Sequence, residues 1–263
     1  MIIDIVSDTV CPWCFIGKRR LERALTLAPQ PDLVVTWHPF QLNPELPPGG
    51  MDRRDYLRAK FGDEKGSGAY DRILEAGAAE GIDFNFKSIA RQPNTVDSHR
   101  LVRYAGEVGL QHQAVEALFN AYFIDGRDIG DAATLLDIGS EAGLERGPLA
   151  EYFERGAGRE EVEREDEMAR GMGIQGVPCF IFERKFVVSG AQSPELLVEA
   201  FDLINRKIAE GELESAAEHD HEHGHGHDHG HGGHDHDHDH DHGHEGHDHD
   251  HGHEHDHGRD RDE

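Results

Sequence analysis

The sequence predicts an α/β fold in which a strand–helix–strand unit and a strand–strand–helix unit flank a long helical block. Three observations carry this. The β-branched run Ile2-Ile3-Asp4-Ile5-Val6 leads directly into Cys11-Pro12-Trp13-Cys14 and a helical stretch. β character returns only late, at Pro178 to Glu183 and Phe186 to Ser189. Between these ends lie roughly 115 residues of helical pattern, enough for a domain of their own.

Taken in order, Ile2 to Val6 reads as a buried strand and residues 14 to 27 as the first helix, with Leu21 and Leu25 one turn apart. Pro12 suits a first helical turn, where its missing N–H is not needed. Leu33 to Phe40, β-branched and aromatic, suits a second strand. Asn43-Pro44 and Pro47-Pro48-Gly49-Gly50 then form dense turn chemistry. From Met51 to about Glu167 the pattern is helical. Asn94-Thr95 can cap a helix carrying Val96, Leu101, Val102 and Tyr104. Gly109, Gly143 and Gly147-Pro148 mark stops between later helices. Ile82 to Phe86 alternates and is expected to be extended. The two late strands are joined by a polar turn at Arg184-Lys185. Ser193-Pro194-Glu195 opens the last helix in the order cap, proline, acid. The expected boundaries are 1–44 and 168–212 for the two parts of the α/β domain, 45–167 for the helical insertion and 213–263 for a tail.

The cysteine pair points to a chemistry. Two thiols three positions apart at a helix start can close a small, reversible disulfide, and strand, Cys-x-x-Cys, helix is the context in which this motif reads as redox-active. Unpaired N–H groups and the helix dipole at Cys11 favour a thiolate, which makes Cys11 the expected attacking thiol and Cys14 the resolving one. Exchange would pass through a mixed disulfide on Cys11. Two other readings exist. A zinc knuckle needs four ligands, and outside the tail only Cys179, His38, His99 and His112 could complete one, none at paired spacing. Reduced core cysteines are the other reading, since cysteine is often buried.

Composition narrows the classes. Acidic residues outnumber basic ones 53 to 26 in 263 residues, for a net charge of −27. Such a balance argues against nucleic acid or an anionic membrane as partner. Three cysteines cannot build a disulfide framework. No stretch resembles an apolar span, and no basic-then-apolar leader precedes Ile2, so the expected location is cytoplasmic. Oligomeric state is left open by the sequence.

Several segments together resemble a known family. These are SDTVCPWCFIGKRRLERAL at 7 to 25, HPFQLNP at 38 to 44, SHRLVRYAGEVGL at 98 to 110, GIQGVPCFIF at 173 to 182 and VSGAQ at 188 to 192. They are similar to the DsbA-type thiol–disulfide oxidoreductases, in particular the FrnE-like branch, which implies a thioredoxin-like fold with a large inserted helical domain. The resemblance covers residues 1 to 210. It implies that Val177-Pro178 is a cis peptide beside the cysteine pair, with Pro178 part of the catalytic centre. The alternative is a trans proline that merely starts a strand. Pro12, Trp13 and Val177 would then contact substrate, Val177 by pairing its backbone with an extended segment. The family segment around Asn94 and His99 implies substrate contact for those residues, with a helix cap and a satisfied histidine as the competing readings. Gln192, with Gly190 and Ala191, occupies a position where glutathione-binding relatives, the kappa-class transferases and hydroxychromene-carboxylate isomerases, contact ligand. Those relatives generally carry serine at the attacking position, unlike Cys11. At Cys179 the family pattern has a small or apolar residue, so Cys179 is either a third redox thiol or a small buried hydrophobe. The implied partners are proteins bearing thiols or disulfides, with glutathione a candidate small thiol, and the redox site requires no cofactor.

The tail is a separate matter. Of 22 histidines, 19 fall between His219 and His257, interleaved with Asp, Glu and Gly and no apolar residue. That composition cannot bury a core and is expected to be disordered. Imidazole with nearby carboxylate suits Zn²⁺ or Ni²⁺. The candidate ligands are His225, His227, His229, His231, His234, His236, His238, His240 and His242, acting as several sites rather than one. A metal buffer or metallochaperone is therefore a second functional reading, a glutathione-dependent transferase or isomerase a third, and a merely solubilising tail remains open.

Overall fold

The computed structural model describes residues 1–62 and 67–213. The histidine-rich tail lies outside the described residues. In chain order the elements are β1 (Ile2–Ser7), α1 (Pro12–Leu27), β2 (Val34–Pro39), β3 (Met51–Asp52), α2 (Arg53–Phe61), α3 (Ser67–Ala79), β4 (Arg91–Gln92), α4 (Val96–Glu107), α5 (Gln111–Phe123), α6 (Ala132–Glu141), α7 (Arg146–Glu154), α8 (Arg159–Gly171), β5 (Cys179–Phe182), β6 (Phe186–Ser189) and α9 (Pro194–Ala209). The main sheet has the order β2-β1-β5-β6. β1 and β2 run parallel, with Val6 opposite His38, and β1–β5 and β5–β6 are antiparallel, with Val6 opposite Cys179 and Phe180 opposite Val188. This is the thioredoxin-like α/β arrangement, with α2 to α8 inserted between β2 and β5. Among the described residues no helix is long and apolar enough to cross a membrane.

Alternation along the strands sends side chains to two faces. Ile3, Ile5, Phe180 and Phe182 point into the large core with Phe15 and Ile16 of α1 and Leu197, Phe201 and Ile204 of α9. Val6 and Cys179 face the other way, onto Phe40 and Ala169 of α8. The large core continues without a break into Leu101, Leu118, Phe119, Leu135 and Leu149 of the helical block.

Three local features depart from the sequence reading or add to it. Ile82 to Phe86 forms no strand. Burial still alternates along it, Ile82 and Phe84 inward and Asp83 and Asn85 outward, and Phe84 stacks on Phe86 at 5.0 Å and meets Phe123 edge-on at 5.4 Å. The small pairing of β3 with β4 has no sequence signal, being two residues on each side. The late hairpin turn is centred at Glu183-Arg184, one residue before Arg184-Lys185. Both have positive φ, 49° and 55°, and the Lys185 N–H donates to Phe182 O at 3.0 Å. A two-residue turn of that hand matches strand twist and ordinarily wants Gly or Asn. Here the buried Glu183 carboxylate accepts from the Ile2 N–H at 3.0 Å and helps hold the turn in place.

His38 ties the sheet to the helical block. Its Nε2 lies 3.0 Å from Asp4 Oδ1 and its Nδ1 3.6 Å from Glu165 Oε2, and Arg103 also pairs with Glu165, at 2.8 Å. Burial pushes the imidazole down, but the two carboxylates prevail and raise it to about 9. The ordinary value is about 6.5, so the stabilisation is fully present below that pH and is lost as pH rises through about 9. The expected result is a melting-temperature gap between wild type and His38→Asn that is open at pH 6 and closed by pH 10, measured by thermal unfolding.

Candidate active site

Cys11 is the N-cap of α1. It sits at φ −93°, ψ 112°, with Pro12 as the first helical residue. The cap is closed by backbone contacts, Cys11 N–H to Asp8 O at 3.0 Å and Cys14 N–H to Cys11 O at 3.0 Å. All three cysteines are free thiols. Cys11 is 4% exposed yet lines a cleft of about 310 Å³ with Pro12, Trp13 and Val177. Cys14, one turn along the helix, is fully buried behind it. Its thiol is pushed well above its ordinary value, first by burial and then by the adjacent Cys11 sulfur. Cys14 is therefore held protonated in the dithiol form while Cys11 presents its sulfur to the cleft. Trp13, 37% exposed, stands on the rim.

The Val177–Pro178 peptide is cis. It brings the Val177 carbonyl within 3.6 Å of Cys11 Sγ, which donates to it. Among the described residues no partner is recorded for the Val177 N–H, which leaves backbone free beside the sulfur. Pro178 packs against α1 where only glycine fits. A Cβ on Gly17 would lie 2.9 Å from the Pro178 ring and 3.2 Å from Phe180. The helix is held in this position by Lys18, which is buried and reaches Glu22 at 2.5 Å and Glu116 of α5 at 2.7 Å.

The remaining expected site residues lie elsewhere. Asn94 ties two segments together, accepting from Val96 N–H at 3.0 Å beside it and donating to the distant Leu46 O at 2.8 Å. It does not line the cleft. Neither does His99, which is buried behind the cysteine loop with Nε2 3.3 Å from Asp8 Oδ1. It faces a separate cavity of about 570 Å³ walled by Trp37, Val102 and Phe119. Gln192 folds back on its own loop, donating to Ser189 O at 2.7 Å. Cys179 faces the second, smaller apolar cluster rather than the Cys11 side of the sheet, and burial pushes its thiol up. The packing is that of a small buried hydrophobe, and strand alternation is the reason.

Sequence reasoning missed two sets of residues. Asp8 anchors the loop, its Oδ2 accepting from Leu42 N–H at 2.7 Å while its carbonyl caps Cys11. Its place three residues before Cys11 is the signal that could have found it. Arg53, Tyr56, Lys60, Tyr70 and Gln92 form the far wall of the cleft. No local pattern marks them, because they come from α2, α3 and β4 and meet Cys11 only through the fold.

Comparison with known proteins agrees with this fold. The profile of the DSBA-like thioredoxin domain matches residues 2–202. The uncharacterized protein YwbO of Bacillus subtilis (strain 168) is 26% identical over 205 residues, 75% of this chain and 94% of its own. A crystal structure described as a probable DsbA oxidoreductase from Streptomyces coelicolor is 30% identical, with a TM-score of 0.72 over 81% of this chain and 91% of that one. The cytosolic disulfide reductase DsbM from Pseudomonas aeruginosa, solved with GSH, shares the fold at 21% identity and a TM-score of 0.55, over 78% of this chain and 100% of that one.

Proposed function

We propose, from the premise that the chain belongs to the DSBA-like thioredoxin-domain family, that this protein-disulfide oxidoreductase works through Cys11 as attacking and Cys14 as resolving thiol. The single observation that carries the assignment of roles is the asymmetry of the pair. Cys11 opens on the cleft beside free backbone at Val177, while Cys14 is sealed behind it with its thiol held protonated.

The chemistry follows from those positions. The Cys11 thiolate attacks a substrate disulfide, an Sγ–S bond forms, and the substrate's own S–S bond breaks to release one thiol. Cys14 then loses its proton and attacks Cys11 Sγ. That closes Cys11–Cys14, and the second substrate thiol departs with the remaining electrons. The steps reverse from the disulfide form, so the potential of the pair sets the net direction. An extended substrate segment can pair with the Val177 backbone while Trp13 covers it from the rim, an instance of strand addition. Substrates are proteins bearing thiols or disulfides, with glutathione as a small co-substrate, and a cytoplasmic setting fits the low cysteine count.

Insulin reduction and scrambled-ribonuclease refolding test the reading, and an inert wild-type protein would sink it. The tail is assigned Zn²⁺ or Ni²⁺ binding on composition alone. Calorimetry should show metal heats with the full chain that a 1–218 truncation lacks, and equal heats would remove that assignment.

A further inference from the structure

The cleft at Cys11 is chemically unlike the rest of the chain. Acidic residues outnumber basic ones 53 to 26 overall, yet among the described residues lining this cleft there is no carboxylate and there are two cations, Arg53 and Lys60. Most buried or half-buried cations elsewhere are matched: Lys18 by Glu22 and Glu116, Arg20 by Glu80, Arg100 by Asp97, Arg103 by Glu165 and Arg170 by Asp166. Arg53 is not. Its Nη1 donates to Gln92 Oε1 and, at 3.4 Å, to the Tyr122 hydroxyl, and its Nη2 donates to the Tyr70 hydroxyl at 2.9 Å. The guanidinium also lies over the Tyr56 ring at 5.5 Å. Every one of these partners is neutral, and burial pushes the Tyr122 phenol up, which keeps it so. Lys60 is held the same way, donating to the Tyr56 hydroxyl at 2.7 Å and to Asn43 Oδ1 at 3.3 Å.

A half-buried guanidinium whose hydrogen-bond partners are all neutral is not neutralised by any group it touches, and its planar fork is suited to a carboxylate. Gln92 and the tyrosines orient the group without neutralising it. A space of about 310 Å³ is at the small-molecule end of ligand sites.

We propose that Arg53, assisted by Lys60, makes this cleft selective for small disulfides and thiols that carry a carboxylate close to sulfur. The proposal rests on the exchange reading above and names the substrate class for that same site. With such a disulfide, Cys11 displaces one carboxylate-bearing thiol and forms a mixed disulfide, and Cys14 displaces the second. Two electrons pass from the cysteine pair to the substrate. A pre-reduced protein supplies both, so one turnover needs no further reductant.

The whole-molecule field sets up a decisive contrast. A net charge of −27 steers cationic substrates in and repels anionic ones, whereas the cleft does the opposite at short range. The test uses the full chain, reduced and freed of reductant, at about 0.15 M salt, where the screening length is about 8 Å. Single-turnover rates are measured with 3,3′-dithiodipropionate (dianionic), 2-hydroxyethyl disulfide (neutral) and cystamine (dicationic). Each is divided by the rate at which dithiothreitol reduces the same disulfide. The expected result is an anionic-to-cationic ratio of at least about tenfold, which falls toward or below one in Arg53→Gln and is largely restored in Arg53→Lys. Lys60→Gln lowers it less and serves as the second variant if Arg53→Gln does not fold. A wild-type ratio below one, or one that neither Gln variant moves, overturns the proposal. If wild type reacts with all three no faster than Cys11→Ser, the exchange reading itself has failed.

Discussion

Replacing Cys11 with serine is expected to lower disulfide exchange by at least about a thousandfold, because the hydroxyl is a far weaker nucleophile than the thiolate it replaces. The fold should not suffer. The Cys11 side chain makes no capping hydrogen bond, and its sulfur donates only a long contact to Val177 O at 3.6 Å. Serine is among the preferred N-cap residues, so the variant should melt at or slightly above the wild-type temperature. Cys14→Ser should behave differently. Cys11 still attacks, but nothing resolves the mixed disulfide, so substrate stays attached and the intact mass rises by one substrate thiol. Turnover assays with intact-mass spectra check both halves. A Cys14→Ser protein that turns over normally would reverse the assignment of roles.

Replacing Arg100 with alanine is expected to cost about 2–4 kcal/mol of stability, from the loss of charge-assisted hydrogen bonds and of a buried stem, since Asp97 is half-exposed and keeps Arg159 at 2.8 Å. Arg100 is 3% exposed. Its Nε donates to Ala157 O at 2.7 Å and its Nη2 to Tyr152 O and Phe153 O at 3.1 and 3.2 Å, while Nη1 pairs with Asp97 at 2.8 Å. The guanidinium also lies over the Phe153 ring at 4.8 Å. One side chain thus donates to three carbonyls at the α7–α8 junction and fastens that junction to α4. Alanine removes the side-chain donor of Ala157 O, while Tyr152 O and Phe153 O keep the Ala157 and Gly156 N–H groups at 3.2 and 3.0 Å. For a chain of this size the melting temperature should drop by roughly 10 °C. A loss of under about 1 kcal/mol in denaturant titration would mean that water takes over the donors.

The legible parts of this molecule share a physical cause. The first strand, the cysteine helix and the Ser193 cap are local. Each is specified within a few residues by β-branching, by Pro12 at the first helical position, or by a hydroxyl that accepts from Leu196 N–H. The illegible parts are those where long-range packing decides. Ile82 to Phe86 alternates as a strand would, yet its phenylalanines alternate because Phe15 and Phe123 lie on the core side. Asn94 and Gln192 sit in segments that resemble substrate-contacting ones, but Asn94 ties its loop to the distant Leu46 carbonyl and Gln192 folds back on its own loop. His99 is drawn to a buried carboxylate instead of the cleft.

The sequence by itself determined the α/β class, the helical insertion and the placement of two cysteines at the start of the first helix. Periodicity, a proline and two cysteines three apart are local statements, and local statements survive without coordinates. Only the tertiary structure decided what lines the cleft at Cys11, where the third cysteine points and what stands opposite. The register of β1 against β5 sends Cys179 to the far face, and the β3–β4 pairing helps set Arg53 and Gln92 in one wall. Residues from positions 11, 53, 92 and 177 become neighbours only when the chain closes, and their meeting makes a cationic cleft in an acidic protein.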